Sequence, residues 1–299
     1  MPASETALPL RIGARTLWTL RRRLARRRLS LAEALGGGVP ALPPLAEDDD
    51  GYLVTALPAA LAEKLAARHA GLKPFVRQRY RRSYARLDLD FEGYLGAFSA
   101  KSRSTCRRKL KRLAERSGGT LDVRCYRSEE EIALFHGHAR AVSAKTYQER
   151  LLGAGLPDGA EALAQMRALA RAGRARGWLL FVGDAPVAYL WAPAEAGCLI
   201  YAHLGYDPDL ADFSPGTVLQ LEAMRQLMAE KAFGLFDFTE GEGQHKSLFA
   251  TGGIDCIDLL LVRPTFANLL AGYALGGFDR AVALAKRALG ASAARRLRR

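Results

Sequence analysis

The sequence predicts an α/β protein built on a mixed sheet flanked by helices, and three observations predict it. From residue 120 onward, strand-like and helix-like apolar patterns alternate in the order β-α-α-β-β-β-α-β-(short element)-β. Gly183-Asp184, set between two apolar runs, marks a β-hairpin, so antiparallel strands come first and a helix crossover to a further strand follows. Nearly half of the 299 residues are apolar (49%) and a quarter are charged, the balance of a folded chain rather than a disordered one.

Each element has its own signal. Residues 1–50 read as a basic, flexible segment. Within it, LWTLRRRLARRRLSLAEAL (17–35) fits a basic amphipathic helix, a candidate peripheral membrane element. GGGVPALPPLAEDDDG (36–51) reads as a linker. GYLVTAL is a short strand, and Pro58 opens a helix to about His69. PFVRQRYRRSYARLDL alternates as a half-exposed strand does, and DFEGYLGAF is a short helix capped by Asp90. A strongly basic helix runs from Ser99 to Gly118-Gly119. Strand LDVRCYR precedes a helix that starts at Ser128 with Glu131 in the capping-box position. After the loop ERLLGAGLPDG a helix covers 159–172. GWLLFVG, APVAYLWAPA and GCLIYAHLGYD are three strands. Ser214-Pro215-Gly216 opens a helix to about Lys231, GLFDFT and GIDCIDLLLVR are strands, and a last helix spans 264–289. Its uncharged stretch PTFANLLAGYALGGF is too short to span a bilayer. It covers the sheet or lies on an anionic membrane, and packing is the preferred reading.

The formal net charge of +13 is local. Residues 11–28 hold eight arginines and no acid, residues 101–116 hold eight Lys/Arg against Glu115, and residues 295–299 hold four arginines. Such clusters attract phosphate-bearing ligands, nucleic acid or anionic lipid, or simply stay solvated. Cys106, Cys125, Cys198 and Cys256 lie far apart with no zinc spacing and fit the reduced thiols of the cytosol. His136 and His138, two apart, do not share a helix face, so no metal site is expected. No apolar signal region and no membrane-spanning run is visible. The expected location is cytoplasmic, with the basic termini suited to the inner face of the membrane.

Three stretches, in order and at their spacings, resemble a known family: FSAKSRSTCRRKLKRL (98–113), YDPDLADFSPGTVLQLEAMR (206–225) and FDFTEGEGQHKSLF (236–249). They look like the GNAT acyltransferases, in the CelD-type branch related to the FemAB peptidyltransferases. The resemblance implies a GNAT-like mixed, mostly antiparallel twisted sheet flanked by helices, preceded by a reduced N-terminal α/β half-domain. The chain then divides into a basic flexible segment (1–50), a partial N-terminal subdomain with the basic helix (51–117), the acyltransferase domain (118–264), and a C-terminal helix with basic tail (265–299). The usual GNAT phosphate loop, Gln/Arg-x-x-Gly-x-Gly/Ala, is absent, and Ser214-Pro215-Gly216-Thr217 stands in its place. His245 occupies a position where an aromatic is common before the lysine.

A helix N-terminus offers unpaired N–H groups and the positive end of a dipole. Ser214 as cap, Pro215 in the first turn, Gly216 without bulk and Thr217 with its hydroxyl suit such a site, as they suit any well-capped helix. The resemblance places the pyrophosphate of coenzyme A there. Strand CLIYAHLGY would offer N–H donors to a thioester carbonyl. Tyr206 is an acid for the leaving thiolate or is packed at the rim, and His203 is a base or a satisfied sheet histidine. Transfer to an amine or hydroxyl needs a base near the nucleophile. Asp237, between Phe236 and Phe238 on a strand, faces water or is paired inside. Glu240 and Glu242 follow on a glycine-hinged loop, and Lys246 can hold a phosphate, a carboxylate or an oxyanion. On this reading Asp237, Glu240, Lys246 and Tyr206 are catalytic, and Arg103, Glu242 and His245 bind the acceptor. The plain alternative is a polar surface turn followed by a salt-bridged lysine. Arg103, the best match to the family motif in the basic helix, is expected to point inward toward an anionic group.

The resemblance implies direct transfer of an acyl group from acetyl-CoA or another acyl-CoA, without metal, to an amine or hydroxyl of a small molecule or polysaccharide precursor. A second reading replaces the donor by aminoacyl-tRNA, as FemAB relatives use. A third is a non-catalytic nucleic-acid-binding protein, which explains the charge but not the acidic loop and predicts a steep loss of binding with salt.

Overall fold

The computed structural model describes residues 3–12, 15–146, 149, 155–240 and 244–296, the side chains of 11, 12, 15, 244, 245 and 283–296 excepted. The chain forms two compact units, one of Met1–Arg81 with Ile254–Arg299 and one of Arg82–Gly253.

The N-terminal arginines form strands, not the expected amphipathic helix. β1 (Ser4–Ile12) and β2 (Arg15–Arg28) pair antiparallel, with Leu8 opposite Leu20. Leu20 and Leu24 are four residues apart, a spacing that shares one face in a helix and in a strand alike. Strand pairing on both sides of β2 decides the matter, with β1 on one side and β3 (Gly51–Pro58) parallel to it on the other. Helix appears only at α1 (Leu31–Gly36), where the Ser30–Glu33 capping box is complete. The stretch before β3 is irregular, as expected of a linker, but it is tied down. The Arg23 backbone N–H donates to Asp50 at 2.8 Å, and the Arg263 guanidinium donates to the carbonyls of Ala46 and Asp49. A 3₁₀ turn (Ala59–Leu61) and α2 (Ala62–Arg68) follow Pro58, and β4 (Lys73–Arg86) is the expected half-exposed strand.

The last residues of β4 begin the second unit. Asp90 caps α3 (Phe91–Gly96), and Ser99 caps the basic helix α4 (Ala100–Arg116). α4 buries Cys106 and Leu113 and turns most of its cations outward. β5 (Asp122–Tyr126) leads to α5 (Glu129–Ser143), whose Ser128–Glu131 capping box is formed, and then α6 (Ala160–Arg171). β6 (Ala175–Val182) and β7 (Ala185–Glu195) make the predicted hairpin. Gly183 in its turn has φ +60°, a conformation that favours glycine. The stretch read as one strand, GCLIYAHLGYD, is two: β8 (Cys198–Ile200) and β9 (His203–Tyr206). A 3₁₀ stretch (Pro208–Phe213) precedes α7 (Pro215–Glu230), β10 (Leu235–Asp237) and the short α8 (Gln244–Phe249).

Strands of this unit run in the order β4-β10-β8-β7-β6-β5, with β9 also on β7. Apart from Arg176, which pairs with Glu230, β6 is apolar because both its faces are covered. Trp178 and Leu180 pack with α3, α4 and α7, while Leu179 and Phe181 pack with α5 and α6. The sheet is mixed and mostly antiparallel, β8 against β10 being its parallel pair.

β11 (Gly252–Val262) and α9 (Phe266–Arg296) return the chain to the first unit, where β11 lies between β3 and β4. One face of that sheet buries Val54, Leu57 and Leu259 with Leu61 and Leu65. The other buries Leu8, Leu24 and Leu260 with Leu275 of α9.

Candidate active site

The site begins where two strands separate. β8 and β10 pair in parallel through Asp237 opposite Ile200, and the Tyr201 N–H donates to the Asp237 carbonyl at 2.9 Å. Beyond that bond the strands diverge. β9 continues on β7 alone, with His203 opposite Trp191 and Tyr206 opposite Ala188. The chain after β10 turns the other way, and the Phe238 N–H donates to the Ser83 carbonyl at 3.0 Å. Every second backbone N–H and C=O of β9 therefore points away from β7, toward the opening. The break at Tyr201-Ala202 that splits the expected strand is what creates this edge.

The first turn of α7 packs on the same strand. A side chain at Gly216 would come within 3.0 Å of Leu204 and 3.2 Å of Tyr206, so this glycine seats the helix on β9. Ser214 holds the cap position in the left-handed region (φ 53°), and its hydroxyl makes no capping bond, contrary to expectation. Pro215 stands in the first turn as predicted. The Thr217 hydroxyl accepts from Lys109 Nζ at 3.2 Å, and Arg112 lies over the Phe213 ring at 5.3 Å. α4 thus brings cations to the positive end of α7, an electrostatically costly arrangement unless an anion shares it. Tyr206, the last residue of β9, is 39% exposed. Asp207 beside it is held below the usual carboxylate range, chiefly by the ammonium of Lys145 at 2.7 Å.

On the other side, Asp237 is fully buried and paired inside. Its carboxylate accepts from Arg82 Nε at 3.2 and 3.1 Å and from Arg82 Nη2 at 2.5 Å, and from the Thr239 N–H at 2.8 Å. Those bonds engage both oxygens, which fits an anchor rather than a proton acceptor. They also hold Thr239 at φ 62°, an uncommon conformation for a β-branched residue. Glu240 is exposed, and its carbonyl accepts from Lys246 Nζ at 2.5 Å. Burial pushes the Lys246 ammonium below the usual lysine value, against the raising pull of Glu240 and Asp237. Glu242 lies outside the described residues, and so does the side chain of His245. Arg103 does not point to an anionic site: its Nη1 donates to the carbonyls of Gly96 at 2.9 Å and Phe98 at 2.7 Å, tying α3 to the start of α4. A guanidinium next to a helix end satisfies carbonyls left without intrahelical partners.

Residues 100–247 match the family model described as an acetyltransferase (GNAT) domain. This stretch is a GNAT-type acetyltransferase domain. Solved structures with the same fold include FemX (TM-score 0.54, 10% identity, covering 87% of this chain and 88% of that one). They also include the C-terminal domain of a putative lysylphosphatidylglycerol synthetase from Agrobacterium fabrum (0.51, 14%, 75% and 71%). A third is a conserved protein of unknown function from Bacteroides thetaiotaomicron (0.51, 12%, 72% and 71%). No curated protein matches the sequence.

The GNAT domain holds functional candidates that the sequence reading ranked low or missed. His203 has no hydrogen-bond partner among the described residues, and burial lowers its pKa below 6.5. It is therefore not the satisfied sheet histidine that its position suggested. Its neighbours in β9 alternate in direction: Leu204 and Tyr206 face α7, whereas Gly205 faces Tyr189 and Thr146. His203 shares the face of Gly205. Lys109 was one of eight cations in a basic helix, with nothing in the sequence to single it out. Arg82 lies on another strand, and only the β4–β10 register brings it to Asp237. Gln220 of α7 is 2% exposed, and neither of its amide atoms has a hydrogen-bond partner among the described residues. No metal-ligand cluster is found among the described residues.

Proposed function

We propose that the GNAT domain transfers an acyl group directly from a CoA-type thioester to an amine or hydroxyl. The observation that carries this reading is the parting of β9 from β10 beside the first turn of α7. The open edge of β9 supplies N–H donors where a thioester carbonyl becomes an oxyanion. The first turn of α7 (Ser214, Pro215, Gly216, Thr217) with Lys109 binds the donor's phosphates. His203, whose partial burial favours the neutral imidazole, takes the proton of the attacking amine or hydroxyl. The Tyr206 hydroxyl returns a proton to the departing thiolate. Lys246, fixed by the Glu240 carbonyl, stabilises negative charge on the acceptor side, where Glu240, Glu242 and His245 contact the acceptor. Asp237 positions that loop through Arg82 and Thr239. Small amines, polysaccharide precursors and lipid hydroxyls are the acceptors to test. The likeness to a putative lysylphosphatidylglycerol synthetase domain is what adds the last of these.

A second reading keeps the site and replaces the donor by aminoacyl-tRNA. Arg107 and Arg108, exposed on α4 with no ion pair among the described residues, favour it. Thiol release from acetyl-CoA and longer acyl-CoAs, followed with a panel of amines and hydroxyls, separates the two. The first reading expects acceptor-dependent release that disappears in His203→Gln. Acceptor labelling from aminoacyl-tRNA without thiol release from any CoA thioester would select the second.

A further inference from the structure

Helix α9 is apolar on two sides. Its inner side buries Asn268, Ala271, Gly272 and Leu275, and Arg77 of β4 holds Asp279 at 3.0 Å. Its outer side carries Phe266 (84% exposed), Leu270 (60%) and Tyr273 (63%), spaced four and three apart and therefore in line along the helix. Exposed Ala267, Ala274, Gly277 and Ala281 complete that side, and Arg280 is its one charged member among the described residues. Single exposed hydrophobic residues are ordinary; an aligned row of them calls for a partner.

The adjoining hairpin repeats the pattern. Leu17 is 51% and Trp18 is 68% exposed. Arg22, four residues on and on Trp18's face of β2, donates to the Ala267 carbonyl at 2.8 Å and so ties the strand to the first turn of α9. The surroundings are basic. This unit holds 22 Lys/Arg against 10 Asp/Glu, whereas the GNAT-bearing unit holds 22 against 21. Arg26, Arg79 and Arg280 are exposed with no carboxylate partner among the described residues.

We infer that this unit docks on an anionic lipid surface. Phe266, Leu270, Tyr273 and Trp18 enter the boundary between headgroups and acyl chains, where Trp and Tyr rings are favoured, and the arginines meet lipid phosphates. Charge distinguishes this partner from a second copy of the chain. Pairing two such faces would bring together two strongly cationic surfaces, whereas an anionic bilayer attracts each. No helix among the described residues is long and apolar enough to cross a membrane, so the contact is with one leaflet. The inference is independent of the acyl-transfer reading.

The test is co-sedimentation of the full chain with vesicles of equal parts phosphatidylcholine and phosphatidylglycerol, and with phosphatidylcholine alone. The expected result is binding to the mixed vesicles, weak binding to the neutral ones, and a fall of about tenfold or more in partitioning for Phe266→Glu/Leu270→Glu. Both positions are exposed, so the variant's melting temperature should match wild type. Absence of binding to the mixed vesicles, or equal binding by the double variant, would overturn the proposal. So would a dimer, seen by light scattering, that dissociates in the double variant while neither protein binds vesicles.

Discussion

His203 presents an imidazole whose neutral form is favoured by partial burial and that no described group ties down. Because its pKa is lowered, the base form persists to lower pH than for a free imidazole. The acid limb of kcat/KM should therefore fall below 6.5 and should disappear with the activity in His203→Gln. A limb well above 6.5 would point to another base. Asp237 makes a different prediction. Removing its charge breaks the buried Arg82–Asp237 ion pair, which destabilises by about 3–5 kcal/mol, so Asp237→Asn should lower the melting temperature as well as the rate. An unchanged melting temperature would mean that Asp237 is not an anchor. For Gln220, the unsatisfied buried amide predicts that Gln220→Met stabilises by about 1 kcal/mol. If the amide meets the donor, activity falls even as denaturant resistance rises. Sequence alone named Asp237, Lys246 and Tyr206 as chemistry-bearing, because charged and aromatic residues at a strand end stand out locally. It could not tell a paired aspartate from a free one, since that depends on Arg82, distant in sequence.

α7 and α4 form a working pair through Lys109 and Thr217. If their meeting point binds donor phosphates, Lys109→Ala should raise the donor KM severalfold and leave kcat nearly unchanged, the signature of lost uniform binding. A fall in kcat alone would contradict that role. Most elements of the two units were legible from periodicity and caps: the Ser128–Glu131 box, the Gly183 turn and the Asp90 cap all appear where expected. Two were not. β1 and β2 depend on neighbours that override an ambiguous leucine spacing, and the break between β8 and β9 has no turn residue to announce it. That break is also the feature on which the proposed chemistry depends, because a continuous strand would leave no open edge.

Across the whole molecule, charge is divided unequally. The excess of basic residues lies in the unit built from the two chain ends, and the GNAT-bearing unit is close to neutral. That unit escaped a reading made along the chain because its strands come from opposite ends: Leu53 pairs with Leu260 across most of the sequence. Donor binding in the near-neutral unit should tolerate salt, since it rests on a helix terminus and few cations, whereas binding of a nucleic acid should weaken steeply as salt rises. The most direct test of the central claim is the melting temperature with CoA, acetyl-CoA and a long-chain acyl-CoA, at low and high salt, for wild type and Lys109→Ala. A ligand that binds only the folded state raises stability by mass action. The account predicts an upward shift that survives high salt and shrinks in Lys109→Ala. No shift with any of the three ligands would contradict a CoA-type donor at the opening between β9 and β10.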